Sequence, residues 1–116
     1  MTTTEIGKSL VTLCKTGEFE QAYKTLFADN ARSIEAGGET ATGLHALLAK
    51  GDEWGRKNTV HRITVTGPYV AGDTFAVFFS MNLTPKASGQ ATDFDEIALY
   101  RVADAKIVEE RFLYGV

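Results

Sequence analysis

Residues 75–83 read Phe-Ala-Val-Phe-Phe-Ser-Met-Asn-Leu, so Phe75, Val77, Phe79, Met81 and Leu83 occupy every second position. A period of two belongs to a β-strand with one face turned to the core. Phe78 lies on the other face and indicates that this side also meets apolar cover. The links around this strand are Ala71-Gly72-Asp73, Pro85 to Gly89, and Ala103-Asp104-Ala105. They are too short for crossovers and carry turn residues, so they join antiparallel neighbours. Strands are therefore expected near residues 59–70, 74–84, 91–102 and 106–114.

The first half has the helical period instead. Thr2 and Glu5 have capping-box spacing ahead of a helix over about 3–15, whose Ile6, Leu10, Leu13 and Cys14 share a face. Gly17 ends it, because glycine tolerates the left-handed position after a helix. Phe19, Ala22, Tyr23, Leu26 and Phe27 form the apolar stripe of a second helix, which Ala28-Asp29-Asn30 ends. A short strand is expected over 31–36, then a turn at Gly37-Gly38. A third helix runs from about 43 to 56, with Leu44, Leu47, Leu48, Gly51 and Trp54 on one side. Helices followed by a strand meander make an α+β domain spanning 1–116.

The 116 residues suffice for a core without staples. A net charge of −3 with scattered basic residues argues against nucleic acid or an anionic membrane as partner. Cys14 is the sole cysteine, which excludes an intramolecular disulfide, suits a reducing compartment and reads as a buried, inert thiol. The first residues have neither a basic nor an apolar leader segment, so a cytoplasmic location is expected. No phosphate-cradling glycine loop, Gly-x-Ser-x-Gly, Cys-x-x-Cys or His-Glu-x-x-His occurs. No cofactor and no metal is expected. Asp93 and Asp95 are spaced like metal ligands but alternate with Phe94, away from the inner face.

Several segments carry a resemblance: Gly17-Glu-Phe-Glu, Leu26-Phe-Ala-Asp-Asn-Ala31, Gly43 opening the third helix, Ala98-Leu-Tyr-Arg-Val102 and Lys106-Ile-Val-Glu-Glu-Arg-Phe112. In this order the chain resembles the nuclear-transport-factor-2-like superfamily and, within it, the SnoaL-like domains. The resemblance implies a cone-shaped α+β barrel, with three N-terminal helices packed on a curved, mostly antiparallel sheet. It also implies a cavity that admits a small molecule, and a homodimer. It does not imply one activity, because members range from isomerases, cyclases, dehydratases and epoxide hydrolases to plain binding modules.

Alternation and the likeness to ketosteroid isomerase together select the inward residues. On the last strand these are Val108, Glu110, Phe112 and Tyr114; on the one before, Phe94, Glu96, Ala98, Tyr100 and Val102. His61 is placed inward on the first long strand, and Glu35 at the position of the isomerase's catalytic carboxylate. Glu35, His61, Glu96 and Glu110 are thus the candidate acid–base groups. Trp54, Phe79, Met81, Tyr100, Phe112 and Tyr114 are the candidate ligand wall. Leu10 and Ala98 stand where the isomerase has its oxyanion-hole donors, so steroid isomerisation is not expected. Glu35 also reads as a strand-end residue facing water, and His61 as a structural group. Three acids in an apolar cup cannot all ionise cheaply, so one is expected to keep its proton, or His61 to bind one. The remaining choice is between a ligand cavity with proton-transfer chemistry and a non-catalytic binding or dimerisation module. Phe78, Ile97 and Leu99 on the sheet's outer face point to a symmetric partner.

Overall fold

A computed structural model describes residues 1–115. Three helices, α1 (Thr3–Lys15), α2 (Phe19–Leu26) and α3 (Leu44–Lys57), pack on one sheet. Its strands are β1 (Phe27–Ile34), β2 (Thr40–Thr42), β3 (Asn58–Ala71), β4 (Thr74–Pro85), β5 (Thr92–Ala103) and β6 (Lys106–Leu113). Their order is β2-β1-β6-β5-β4-β3, and only the β1–β6 pairing is parallel. The sheet is curved but open, with β2 and β3 as its edges. No helix among the described residues is long and apolar enough to cross a membrane.

The expected capping box is present: the Glu5 amide donates to the Thr2 hydroxyl, and the Thr2 amide to Glu5 Oε1. Ile6, Leu10, Val11 and Cys14 then turn into the sheet. Gly7 lets α1 lie close to β3, because a Cβ there would stand 2.8 Å from the Pro68 ring. Burial of the inner face of β4 is complete at Phe75, Val77, Phe79, Met81 and Leu83, each at most 5% exposed. This is the alternation read in the sequence.

Four local features differ from the sequence reading. The strand expected over 31–36 runs from Phe27 to Ile34, so α2 ends at Leu26. Phe27 is drawn out of the helix into the core, against Tyr23 at 4.7 Å and Tyr100 at 6.2 Å between ring centroids. Strand β2 was not anticipated, because three residues cannot display a period. It pairs back on β1 through Arg32↔Thr42 and Ile34↔Thr40. Near the start of β6, Ile107 is fully buried where Val108 was expected. Val102 pairs with Ile107 while Arg101 pairs with Glu109, so Val108 is the extra residue of a bulge. A bulge shifts the alternation by one and lets Ile107 and Glu110 face the same side. The same event displaces His61. Val60 pairs with Leu83 and Arg62 with Asn82, leaving His61 as the odd residue. Its side chain is exposed at the edge and its Nε2 meets Thr84 Oγ1 at 2.7 Å.

Candidate functional site

Between the helices and the inner face of the sheet lies a cavity of about 960 Å³. Its wall is apolar and aromatic: Phe79 and Met81 from β4, Phe94 from β5, Phe112 from β6, and Tyr114 just beyond. Phe94 and Tyr114 form a tilted pair at 5.4 Å. Trp54 is at the mouth, 36% exposed, with Val60 and His61 beside it, so the cavity opens to solvent there.

The floor is polar and built from four elements. Glu110 of β6, 3% exposed, accepts at Oε2 from the Tyr23 hydroxyl of α2 (2.9 Å) and the Ser33 hydroxyl of β1 (2.7 Å). Lys50 of α3 donates to Ser33 Oγ at 2.7 Å. A lysine ammonium has only donors, so the Ser33 proton is left to point at Glu110. Lys50 also pairs with Glu35 Oε1 at 2.7 Å, and the Tyr114 hydroxyl donates to Glu35 Oε2 at 2.9 Å. The third side of the ammonium faces the Phe112 ring, 5.2 Å from its centroid. A continuous chain therefore links Tyr23, Glu110, Ser33, Lys50, Glu35 and Tyr114.

Glu96 of β5 is different. It lines the same cavity but has no hydrogen bond or ion pair among the described residues. Burial, then the charges of Glu35 and Glu110, push its carboxyl up to about 8, against a smaller pull from Lys50. It holds its proton at neutral pH. Burial also raises Glu110, opposed by Ser33, Tyr23 and Lys50. The phenols are raised as well: Tyr23 and Tyr100 by burial and then Glu110, and Tyr114 to about 12 by burial and then Glu35. Cys14, at the inner end, is pushed up to about 12 by burial and is not a nucleophile at neutral pH.

Glu35, Glu96 and Glu110 thus share one cavity, walled by Phe79, Met81, Tyr100, Phe112 and Tyr114 with Trp54 at the mouth. His61 lines the mouth but does not bond the acids; Lys50 is the base in the cluster. Sequence reasoning missed Lys50, Ser33 and Tyr23 as site residues. Lys50 lies three positions after the buried Leu47 and four before Trp54, which was the available signal.

The SnoaL-like domain family matches residues 1–114. The chain belongs to the SnoaL-like domain family. A crystal structure from Mesorhizobium loti, provisionally described as a SnoaL-like polyketide cyclase, is 41% identical with a TM-score of 0.94. The match covers 98% of this chain and 100% of that one. A protein from Jannaschia sp. CCS1 with a similar description is 16% identical (TM-score 0.79, 95% and 85% covered). A ketosteroid isomerase-like fold from Catenulispora acidiphila, in complex with trimethylamine, is 22% identical (TM-score 0.73, 92% and 85% covered). No curated protein matches the sequence. Leu10 and Ala98 are both buried apolar residues in this chain.

Proposed function

We propose that this SnoaL-like domain binds a small organic ligand in its cavity and exchanges a proton with it through Glu96. The observation that carries this reading is the unpartnered, proton-holding carboxyl of Glu96 in an otherwise apolar wall. A group that keeps its proton to about 8 can give one up near neutral pH. Glu35, held in place by Lys50 and Tyr114, is a second carboxyl that faces the same space. Such a pair suits cofactor-free isomerisation, cyclisation or hydration. The polyketide cyclase description of the Mesorhizobium loti neighbour and the trimethylamine of the Catenulispora acidiphila neighbour both concern small organic molecules. Glu110, bonded by Tyr23 and Ser33, supports the floor. Native mass spectrometry of protein purified from its host is expected to reveal a carried small molecule. A fragment screen by amide NMR is expected to shift signals of residues 94–98 and 110–114. No carried molecule, and no fragment that moves those signals, would overturn the reading.

The same reading includes a second copy of the chain on the sheet's outer face. Phe78, Ile97 and Leu113 are 37%, 42% and 44% exposed, and the pairings Phe78↔Ile97 and Ile97↔Leu113 set them side by side. Two-fold pairing would cover this patch symmetrically. Light scattering is expected to give twice 12.6 kDa, and Phe78→Asp to return the mass to one chain. A monomeric parent protein at micromolar concentration would remove the homodimer.

A further inference from the structure

The cavity floor is short of positive charge. Glu35 and Glu110 line it with Glu96 on the wall above, Glu39 and Glu53 lie exposed at the rim, and among the described residues Lys50 is the cation that reaches the inner three. The other lining lysines and arginine, Lys15, Lys57 and Arg62, are exposed at the rim. Lys50 has already used two of its three donors. It bonds Ser33 and Glu35 and turns its remaining side to the Phe112 ring. The hydroxyls of Ser33, Tyr23 and Tyr114 are spent on carboxylates too.

Other polar atoms remain unspent. Tyr100, 2% exposed, has no hydrogen bond from its hydroxyl among the described residues, and both oxygens of Glu96 are likewise without partners. Glu110 uses only Oε2. Among the described residues no fully enclosed side-chain polar atom lacks a partner, so these unpaired atoms are ones the cavity reaches. Two nearly buried side chains, Tyr100 and Glu110, therefore present free oxygens to a space that also holds Glu96.

We propose that the ligand is a small organic cation, an ammonium on an aromatic or alkyl body, with its charge against Glu96 and Glu110 and its body against Phe79, Phe94 and Phe112. This rests on the ligand-binding reading above and names the chemistry of that ligand. An ammonium supplies what the floor lacks: N–H donors for the free oxygens and a counter-charge for the acids. The wall already holds one cation, since Lys50 stands over the Phe112 ring. Burial first, and then neighbouring acid charge, raises the carboxyls of Glu96 and Glu110, and a bound cation would oppose both effects. The charged groups facing Glu96 are Glu35 after β1, Lys50 on α3 and Glu110 on β6. A carboxylate or phosphate ligand would add to the excess of acid. A neutral carbonyl would accept from Tyr100 and protonated Glu96 but would leave the free Glu110 oxygen unserved.

Three probes with one phenyl ring and different charge separate these cases: benzylammonium, acetophenone and benzoate. Their affinities are measured by calorimetry at neutral pH, and their place by amide NMR. Benzylammonium is expected to bind about tenfold or more tighter than either other probe, shifting residues 94–100 and 110–114. Glu96→Gln is expected to weaken benzylammonium by about tenfold and acetophenone by less than about twofold. Tyr100→Phe, which keeps the ring, is expected to weaken benzylammonium by a smaller factor and serves if Glu96→Gln does not fold. Acetophenone or benzoate binding as tightly as benzylammonium would overturn the cation while leaving a ligand cavity. Tighter benzylammonium that neither variant weakens would overturn it too, since the charge would then sit elsewhere. No binding of any probe at millimolar concentration would remove both the cation and the ligand reading.

Discussion

Glu110 and Glu96 are the same residue type on adjacent strands, and both face the cavity, yet their surroundings are opposite. Glu110 sits where α2, β1 and β6 meet, and two hydroxyls donate to one of its oxygens. Behind them Lys50 fixes Ser33 and holds Glu35. Glu96 sits on the open wall among Phe79, Met81 and Phe94 and is given nothing. Burial raises both carboxyls, but only Glu110 has donors pulling the other way. The difference separates support from availability. A carboxyl tied into a network holds elements together, and a carboxyl left bare in an apolar wall is free to exchange a proton with whatever enters.

Removing the cation should damage the network side most. Lys50→Met nearly keeps the length of the side chain but removes the ammonium from Ser33 and leaves Glu35 with the Tyr114 hydroxyl alone. Breaking a buried pair on one side costs about 3–5 kcal/mol, and the partial exposure of Lys50 and Glu35 (27% and 22%) lowers this to roughly 2–3 kcal/mol. Urea denaturation at neutral pH measures it. Adding Glu35→Gln is expected to restore part of the loss, because the uncompensated charge goes with it. If Lys50→Met is neutral, the floor is not organised around this ammonium and the contrast with Glu96 loses its basis.

Glu96→Gln should act on the other side, and with the opposite sign. The folded protein raises this carboxyl from 4.5 to about 8, so it binds the proton more tightly than the unfolded chain does. Stability is then complete below about 4.5 and is lost as pH rises through about 8. Glutamine has no proton to lose. The variant is expected to match the parent near pH 4.5 and to exceed it by roughly 1–3 kcal/mol at pH 9, a discounted figure because Glu96 is only half-buried. Melting temperature against pH checks this. Parallel curves for the two proteins would mean that Glu96 ionises without cost and is not the bare acid described above.

The sequence showed the acids and hid what distinguishes them. Alternation, with the family resemblance, brought Glu96 and Glu110 to one face, because parity along a strand is local and survives folding. It placed the wall residues Phe79, Met81 and Phe112 in the same way. Parity failed at His61 and Val108, where one extra residue in a strand reverses every side chain up to the next register shift. Pairing between strands sets a bulge, and neither segment carries a local mark of it. Lys50, Ser33 and Tyr23 were hidden for a different reason. They come from α3, β1 and α2, and their bonds to Glu35 and Glu110 span 15 to 87 positions. A lysine near the edge of an apolar stripe reads as solvated until the fold brings an acid to it, here Glu35 just after β1.

The finest test of the comparison is Ser33→Ala. Ser33 is fully buried, and its hydroxyl both accepts from Lys50 and donates to Glu110. Its loss leaves Glu110 with Tyr23 alone, at a cost of about 1–2 kcal/mol at neutral pH. The pH dependence says more than the size. The Ser33 hydrogen bond lowers the Glu110 carboxyl, so without it burial raises that carboxyl further. The folded variant then holds its proton more tightly, and stability falls more steeply as pH rises above about 4.5. Ser33→Ala should therefore steepen the decline that Glu96→Gln flattens. In the double variant the steepening should persist, since the two effects belong to different carboxyls. If Ser33→Ala leaves the slope unchanged, the donors do not set the state of Glu110, and what separates it from Glu96 is burial alone.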